Sequence, residues 1–290
     1  MRPFACALGL AALLMTEAFA CTIVTATTGE AVLLAANEDQ PPNKTFLVVD
    51  ATGPRGVVFL ATPTAWAPLV MQMGINDQGL SYSINAIPEE KLTRVPGATP
   101  QQEWALVKLM REVGTVQELL DNYFAYDWGP SIAYQVHVAD RSGDAAVIHP
   151  GADGRLSFTR IDRQQGHLIS TNFNLRDRAL KQWLSPRQLS AQRKFDGLTA
   201  RPTPEFMAAV LEATHQTPGW ISNTRTIFSA VFNLQTLDIH LYNDSDFGKR
   251  YVLNARSALA QVSGQQIRPL AEVLHEVDQA NPKAALPPSH

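Results

Sequence analysis

The chain carries two cysteines, Cys6 and Cys21, and their surroundings differ in kind. Cys6 lies inside an apolar run, residues 4–15 (FACALGLAALLM), that follows Met1, Arg2 and Pro3. Cys21 stands directly after Thr16-Glu17-Ala18-Phe19-Ala20. A positive charge, an apolar run and a small-x-small ending (Ala18 and Ala20) are the parts of a secretory signal over residues 1–20, cut after Ala20. The run is too short to cross a bilayer core of about 30 Å as a helix. Cleavage removes Cys6 and makes Cys21 the first residue of the mature chain. A terminal α-amine titrates at about 8 and a thiol at about 8.5. A terminal cysteine therefore supplies a nucleophile and a base for it within one residue. That pairing suits attack on an amide carbonyl and formation of a thioester. The same reading places the protein in the periplasm or outside the cell, with one cysteine and no internal disulfide.

A cysteine directly after a signal is also where a lipid anchor is attached, which would make the chain a lipid-anchored periplasmic binding protein. That pattern expects Leu three residues ahead and a small residue two ahead, and here those places hold Ala18 and Phe19. A flexible polar tether would follow the anchor. Thr22-Ile23-Val24-Thr25-Ala26 instead alternates and is β-branched, a strand signal that starts at the cysteine.

Further candidates sit at strand ends. Asn37-Glu38-Asp39 closes the second arm of an N-terminal hairpin, so Asp39 returns beside Cys21 and can accept a bond from its amine. Asn85 ends another strand and Asn172 follows the segment His167–Ser170; amides at such places can donate to a developing oxyanion. Arg193 lies in a charged helix, and Trp66, Leu69 and Val70 suit an acyl pocket as well as a core. Each has a plainer reading, a turn former for the polar residues and a solvated helix face for the arginine. The seven histidines show no i,i+4 pair, and no GxSxG, Walker-type loop or GxGxxG is present. No cofactor or metal is expected.

The elements that would position these residues alternate in blocks. Strands are expected at 22–27, 31–36, 45–50, 57–61, 70–74 and 80–85, with turns at Thr28-Gly29-Glu30 and Asn76-Asp77-Gln78-Gly79. A helix capped by Thr99, with Pro100 at its first position, runs to about residue 113, and a second spans 116–123. Strands return at 134–139, 145–148, 158–161 and 167–170, helices at 176–183, 185–198 and 203–214, and a hairpin at 226–233 and 238–241. This order predicts an α+β layered domain over residues 21–280 with mostly antiparallel sheets, and a disordered Pro-rich tail at 281–290. A net charge of −3 without a long basic run argues against nucleic acid or an anionic membrane surface as main partner. An oligomer is left open.

Taken together, these segments resemble the choloylglycine hydrolase and penicillin acylase superfamily, nearest to its linear amide C–N hydrolase, acyl-CoA:6-aminopenicillanate acyltransferase-like branch. The resemblance rests on Cys21-Thr22, Asn37-Glu38-Asp39, the run from Met73 to Leu80 leading to Asn85, Ser170-Thr171-Asn172-Phe173, Ser190-x-x-Arg193, and Thr226–Asn233, in that order. It implies a four-layer αββα N-terminal-nucleophile sandwich and hydrolysis of a linear N-acyl amide, with acyl transfer on the same scaffold as the alternative. It further implies Cys21 as nucleophile and base, Asp39 orienting it, Asn85 and Asn172 lining the oxyanion site, and Arg193 as the helix arginine. One departure stands out. Bile salt hydrolases and penicillin V acylases carry Arg directly before the Asn-x-Asp, and this chain has Ala36 there. That removes a bile-salt or penicillin V preference from what the resemblance implies.

Overall fold

The computed structural model describes residues 21–65, 67–219 and 222–280, apart from 29 and 30. The expected signal segment, residues 29 and 30 of the expected hairpin turn, Trp66 and the expected tail therefore lie outside the described residues. In chain order the elements are β1 (Thr22–Thr28), β2 (Ala31–Gln40), β3 (Phe46–Asp50), β4 (Val57–Thr62), β5 (Val70–Asn76) and β6 (Ser81–Lys91). Two helices follow, α1 (Ala105–Met110) and α2 (Val116–Tyr123), and then β7 (Ser131–Ala139), β8 (Ala145–Pro150), β9 (Leu156–Arg160) and β10 (His167–Ser170). Next come α3 (Arg178–Lys181), α4 (Pro186–Asp196) and α5 (Pro204–Glu212), then β11 (Arg225–Asn233) and β12 (Asp238–Asn243). The chain ends on β13 (Tyr251–Asn254), α6 (Ala255–Leu259), β14 (Gln265–Pro269) and α7 (Leu270–Ala280).

The strands form two antiparallel sheets. One has six strands in the order β10-β1-β2-β11-β12-β13, and the other eight in the order β14-β3-β4-β5-β6-β7-β8-β9. Side chains alternate across a strand, so a strand buried on both sides must be apolar on both. β1 and β2 have that composition. Ile23, Leu34 and Ala36 point between the sheets and meet Leu60, Met73 and Ile75 of the opposite sheet. Val24, Leu33 and Ala35 point the other way, onto Phe195 of α4 and Met207 and Leu211 of α5. On the far side of the eight-stranded sheet, Val48, Phe59 and Tyr82 pack under Leu106, Met110, Leu119 and Tyr123 of α1 and α2. Three apolar interfaces separate four layers, which is the αββα sandwich that the resemblance implies and an instance of the α+β layering expected from the element order. Each fully buried Leu, Ile or Phe contributes about 1.5–3 kcal/mol to holding the layers.

Local chemistry explains most element ends. The β5–β6 turn needs Gly79, whose φ of +81° is left-handed and whose missing Cβ leaves room for the Leu234 carbonyl. Thr115 and Glu118 form a capping box at the start of α2. Three expectations need correcting. The helix expected from Thr99 begins at Ala105, because Thr99 spends its N–H on the Ala125 carbonyl (2.8 Å) and its carbonyl on the Asp127 N–H (2.8 Å). The helix expected over 176–183 is broken into a 3-10 turn at Leu175–Asp177, the short α3, and a second 3-10 turn at Gln182–Leu184. Finally, β13, α6, β14 and α7 are absent from the sequence reading. β14 is a mostly exposed edge strand of little apolar content that exists through its pairing with β3.

Candidate active site

Cys21 directly precedes β1 and is 3% exposed. Strand register decides its company. Thr22 pairs with Asn37, so Cys21 comes level with Glu38, and Asp39 lies one residue beyond. Alternation then separates the two carboxyls. Cys21, Ile23 and Thr25 share the face between the sheets with Ala36, Glu38 and Gln40, whereas Asn37 and Asp39 face the helix layer.

Asn85 arrives from the other sheet. Its Nδ2 donates to the Cys21 carbonyl at 3.0 Å, and its Oδ1 accepts from Ser170 Oγ at 2.7 Å. Ser170 Oγ is also 2.9 Å from His137 Nδ1, and His137 Nε2 is 2.9 Å from Thr25 Oγ1. The hydroxyl of Ser170 has one proton and gives it to Asn85, so it accepts from His137 Nδ1–H. His137 Nε2 then accepts from Thr25. Burial holds this histidine neutral, pushing it down to about 3. The chain of four side chains fixes which end of the Asn85 amide points at the cysteine.

Asp39 is fully buried. Its carboxylate accepts from the Thr226 hydroxyl and from Arg187 Nη1 at 3.2 Å. Arg187 Nη2 donates to Asn172 Oδ1 at 2.7 Å, and Asn172 Nδ2 donates to the Ala86 carbonyl at 2.9 Å. Burial raises Asp39 to about 7 in spite of the lowering by Thr226 and Arg187. Burial also lowers Arg187, against the raising influence of Asp39. Glu38 has no cationic side chain against it among the described residues. Its Oε2 lies 3.9 Å from Cys21 Sγ and its Oε1 accepts from Gln40 Nε2 at 3.0 Å. Burial, then the Asp39 charge, push its carboxyl up to about 8. The Cys21 thiol is itself pushed well up by burial and then by Glu38 and Asp39, with the Asp39 N–H and Arg187 acting the other way.

Thus the structure brings Cys21, Asp39, Asn85 and Asn172 together within one or two hydrogen bonds. Arg193 is not among them. It is exposed on α4, six residues after Arg187 and, at about 100° per residue, on another side of the helix. The arginine that reaches the site is Arg187. Ser185 caps α4 by accepting from the Gln188 N–H at 3.3 Å, its hydroxyl is 3.2 Å from Thr171 Oγ1, and Pro186 starts the helix. This fixes Arg187 in the first turn, where the helix dipole disfavours a cation. That misplacement was the available signal, since it calls for a carboxylate partner. Leu69 packs toward α1 and α2, on the far side of its sheet from Cys21. No group of three or more His, Cys, Asp or Glu side chains suited to a metal ion occurs among the described residues, and no helix there is long and apolar enough to cross a membrane.

No family model matches the chain, and no curated protein matches it in sequence. Solved structures do match in shape. A variant of the conjugated bile acid hydrolase from Clostridium perfringens superposes with a TM-score of 0.68 at 12% identity, covering 86% of this chain and 97% of that one. A second mutant of the same hydrolase gives 0.66 at 11% identity, covering 86% and 96%. Penicillin V acylase from Agrobacterium tumefaciens gives 0.59 at 14%, covering 80% and 84%. The chain has the N-terminal-nucleophile hydrolase fold. At these identities the likeness is one of architecture, and the chemistry has to be argued from the side chains.

Proposed function

We propose that the protein is an exported hydrolase of linear N-acyl amides, with Cys21 freed by cleavage after Ala20 and acting as the nucleophile. The observation that carries this reading is the position of Cys21. It heads the strand that pairs with β2, with an amide donor aimed at it from Asn85 and an Asp39–Arg187–Asn172 chain on its other side. β1 starts directly after Cys21 with no tether between them, which favours a nucleophile held on a rigid strand over a lipid attachment point.

In this mechanism the α-amine takes the thiol proton and Asp39 orients the resulting ammonium. The thiolate adds to the carbonyl carbon, and Asn85 Nδ2 donates to the oxygen on which charge develops. The amine departs, leaving an acyl-thioester that water cleaves to the acid. Ala36 leaves no arginine on the face shared with Cys21, which supports a substrate other than the bile-salt or penicillin V type. The test is intact-mass analysis of the exported protein after exposure to a panel of N-acyl amides and activated esters. The expected result is a chain starting at Cys21 that gains an acyl group removable by hydroxylamine. A diacylglyceryl adduct on Cys21, or acylation that persists in Cys21→Ala, overturns the reading.

A further inference from the structure

We propose that Glu38 is a further catalytic residue: it protonates the departing nitrogen and then serves as base for the water that cleaves the thioester. This rests on the hydrolase reading and adds to it a second proton carrier distinct from the α-amine. The argument begins with position. Glu38 is 3% exposed, shares the inter-sheet face with Cys21, and has Oε2 at 3.9 Å from Sγ. A nitrogen leaving an acyl group bonded to Sγ sits two bonds from that sulfur, within reach of the same oxygen. The two ends of the carboxyl are not equivalent. Oε1 accepts from Gln40 Nε2, and Gln40 is held by Thr62 Oγ1 at 3.1 Å and by Asn43 Nδ2 at 3.1 Å. Thr62 in turn accepts from Gln72 Nε2 at 2.8 Å. Oε1 is held by Gln40, so Oε2, which accepts from the thiol before attack, is the oxygen that faces the reacting atoms and can carry the transferable proton once the thiol has lost its own.

The charged surroundings agree. Gln40 on β2, Thr62 on β4 and Gln72 on β5 are uncharged. Among the described residues the titratable neighbours are Cys21 and Asp39, and Arg187 acts from the helix side, where it is paired with Asp39; cleavage before Cys21 adds the α-amine of that residue. Burial and the Asp39 charge raise Glu38 to about 8 and an α-ammonium at Cys21 acts the other way, so its proton is exchanged close to neutrality and is released more readily once the amine has taken the thiol proton. The protons balance over a cycle. In acylation the α-amine receives the thiol proton, the C–S bond forms, and the C–N bond breaks as nitrogen takes the proton of Glu38. In deacylation the Glu38 carboxylate takes a proton from water while hydroxide adds to the thioester carbon. The C–S bond then breaks and the thiolate recovers its proton from the ammonium.

The test compares p-nitroanilides with p-nitrophenyl esters that carry the same butanoyl, octanoyl or phenylacetyl group, on wild type and Glu38→Gln. A nitrophenolate leaves without help and an anilide needs a proton. The variant should acylate Cys21 from the esters within about threefold of wild type, lose about 10²–10⁴-fold on the anilides, and accumulate acyl-enzyme by mass. Anilide kcat/KM of the wild type should fall above about pH 8, a limb that the variant lacks. Glu38→Asp, with thermal melting of both variants as a check on folding, should recover part of the anilide rate. Equal loss on esters and anilides would make Glu38 merely structural, and an unchanged anilide rate would remove it from the mechanism; either overturns the assignment. A wild type that takes no acyl group on Cys21 from the esters overturns the hydrolase reading itself, a result visible before any variant is made.

Discussion

Glu38 and Asp39 are adjacent on β2 and lie in different chemical surroundings. Asp39 faces the helix layer, where the start of α4 brings Arg187 against it and β11 brings the Thr226 hydroxyl. Glu38 faces the space between the sheets and has an amide, a thiol and, among the described residues, no cationic side chain. Both are buried and both are raised, to about 7 and about 8. The difference lies in what each can do with a proton. The ion pair with Arg187 suits Asp39 to holding and orienting a cation such as an α-ammonium. Glu38, neutral near pH 7, is suited to giving a proton away. The pleat of a strand separates the two roles more cleanly than distance along the chain would.

Variants can break this comparison or sharpen it. The largest effect belongs to the group both faces serve: Cys21→Ala should abolish acyl-thioester formation altogether, read by intact mass after incubation with activated esters. Arg187→Met comes next, because it strands Asp39 as an unpaired buried carboxylate. It should cost about 3–5 kcal/mol of stability, measured by urea unfolding, and reduce turnover, whereas Glu38→Gln should not destabilise the fold at neutral pH. Asn85→Ala removes the donor shared by neither carboxyl. It should lower kcat by about 10²–10³-fold with a smaller change in KM.

The pH dependence of stability has a definite sign. Both carboxyls are raised in the folded state, so the fold binds their protons more tightly than the unfolded chain does. Their contribution is fully present below the unfolded values of about 4 and is lost as pH rises toward about 8. Melting temperature should fall over that window, and Glu38→Gln should lie progressively above wild type as pH rises. The smallest effect belongs to Arg193→Ala. Exposed and outside the site, it should change stability by less than about 0.5 kcal/mol and leave kinetics alone. A large loss there would reassign the helix arginine.

Much of the architecture was legible because strands buried on both faces cannot hide their composition. The apolar runs of β1–β5 and the Asn76–Gly79 turn are visible in the residues, as is the amphipathic helix Val116–Tyr123. The C-terminal elements were not. β14 has no internal pattern and forms because β3 offers it an edge. At the site, the approach of the Asn37–Asp39 end of β2 to Cys21 could be read from the hairpin alone, since two antiparallel arms with a short turn must bring their far ends together; that the register sets Cys21 level with Glu38 could not. Arg187 could not be chosen over Arg193 without knowing which side of α4 packs on the sheet, although its place in a first turn was a clue.

The sequence by itself determined that a cysteine stands at the head of a strand, together with the layered α+β class, because these follow from local alternation and turn chemistry. Only the tertiary structure decided which distant groups meet that cysteine. Asn85 crosses from the second sheet, Arg187 descends from α4, and His137 fixes the Asn85 amide through Ser170. These contacts join residues scores of positions apart, and their partners are set by how layers stack. Whether Glu38 turned toward the sulfur or away from it was likewise a matter of register, since a slip of one residue would have exchanged its face with that of Asp39.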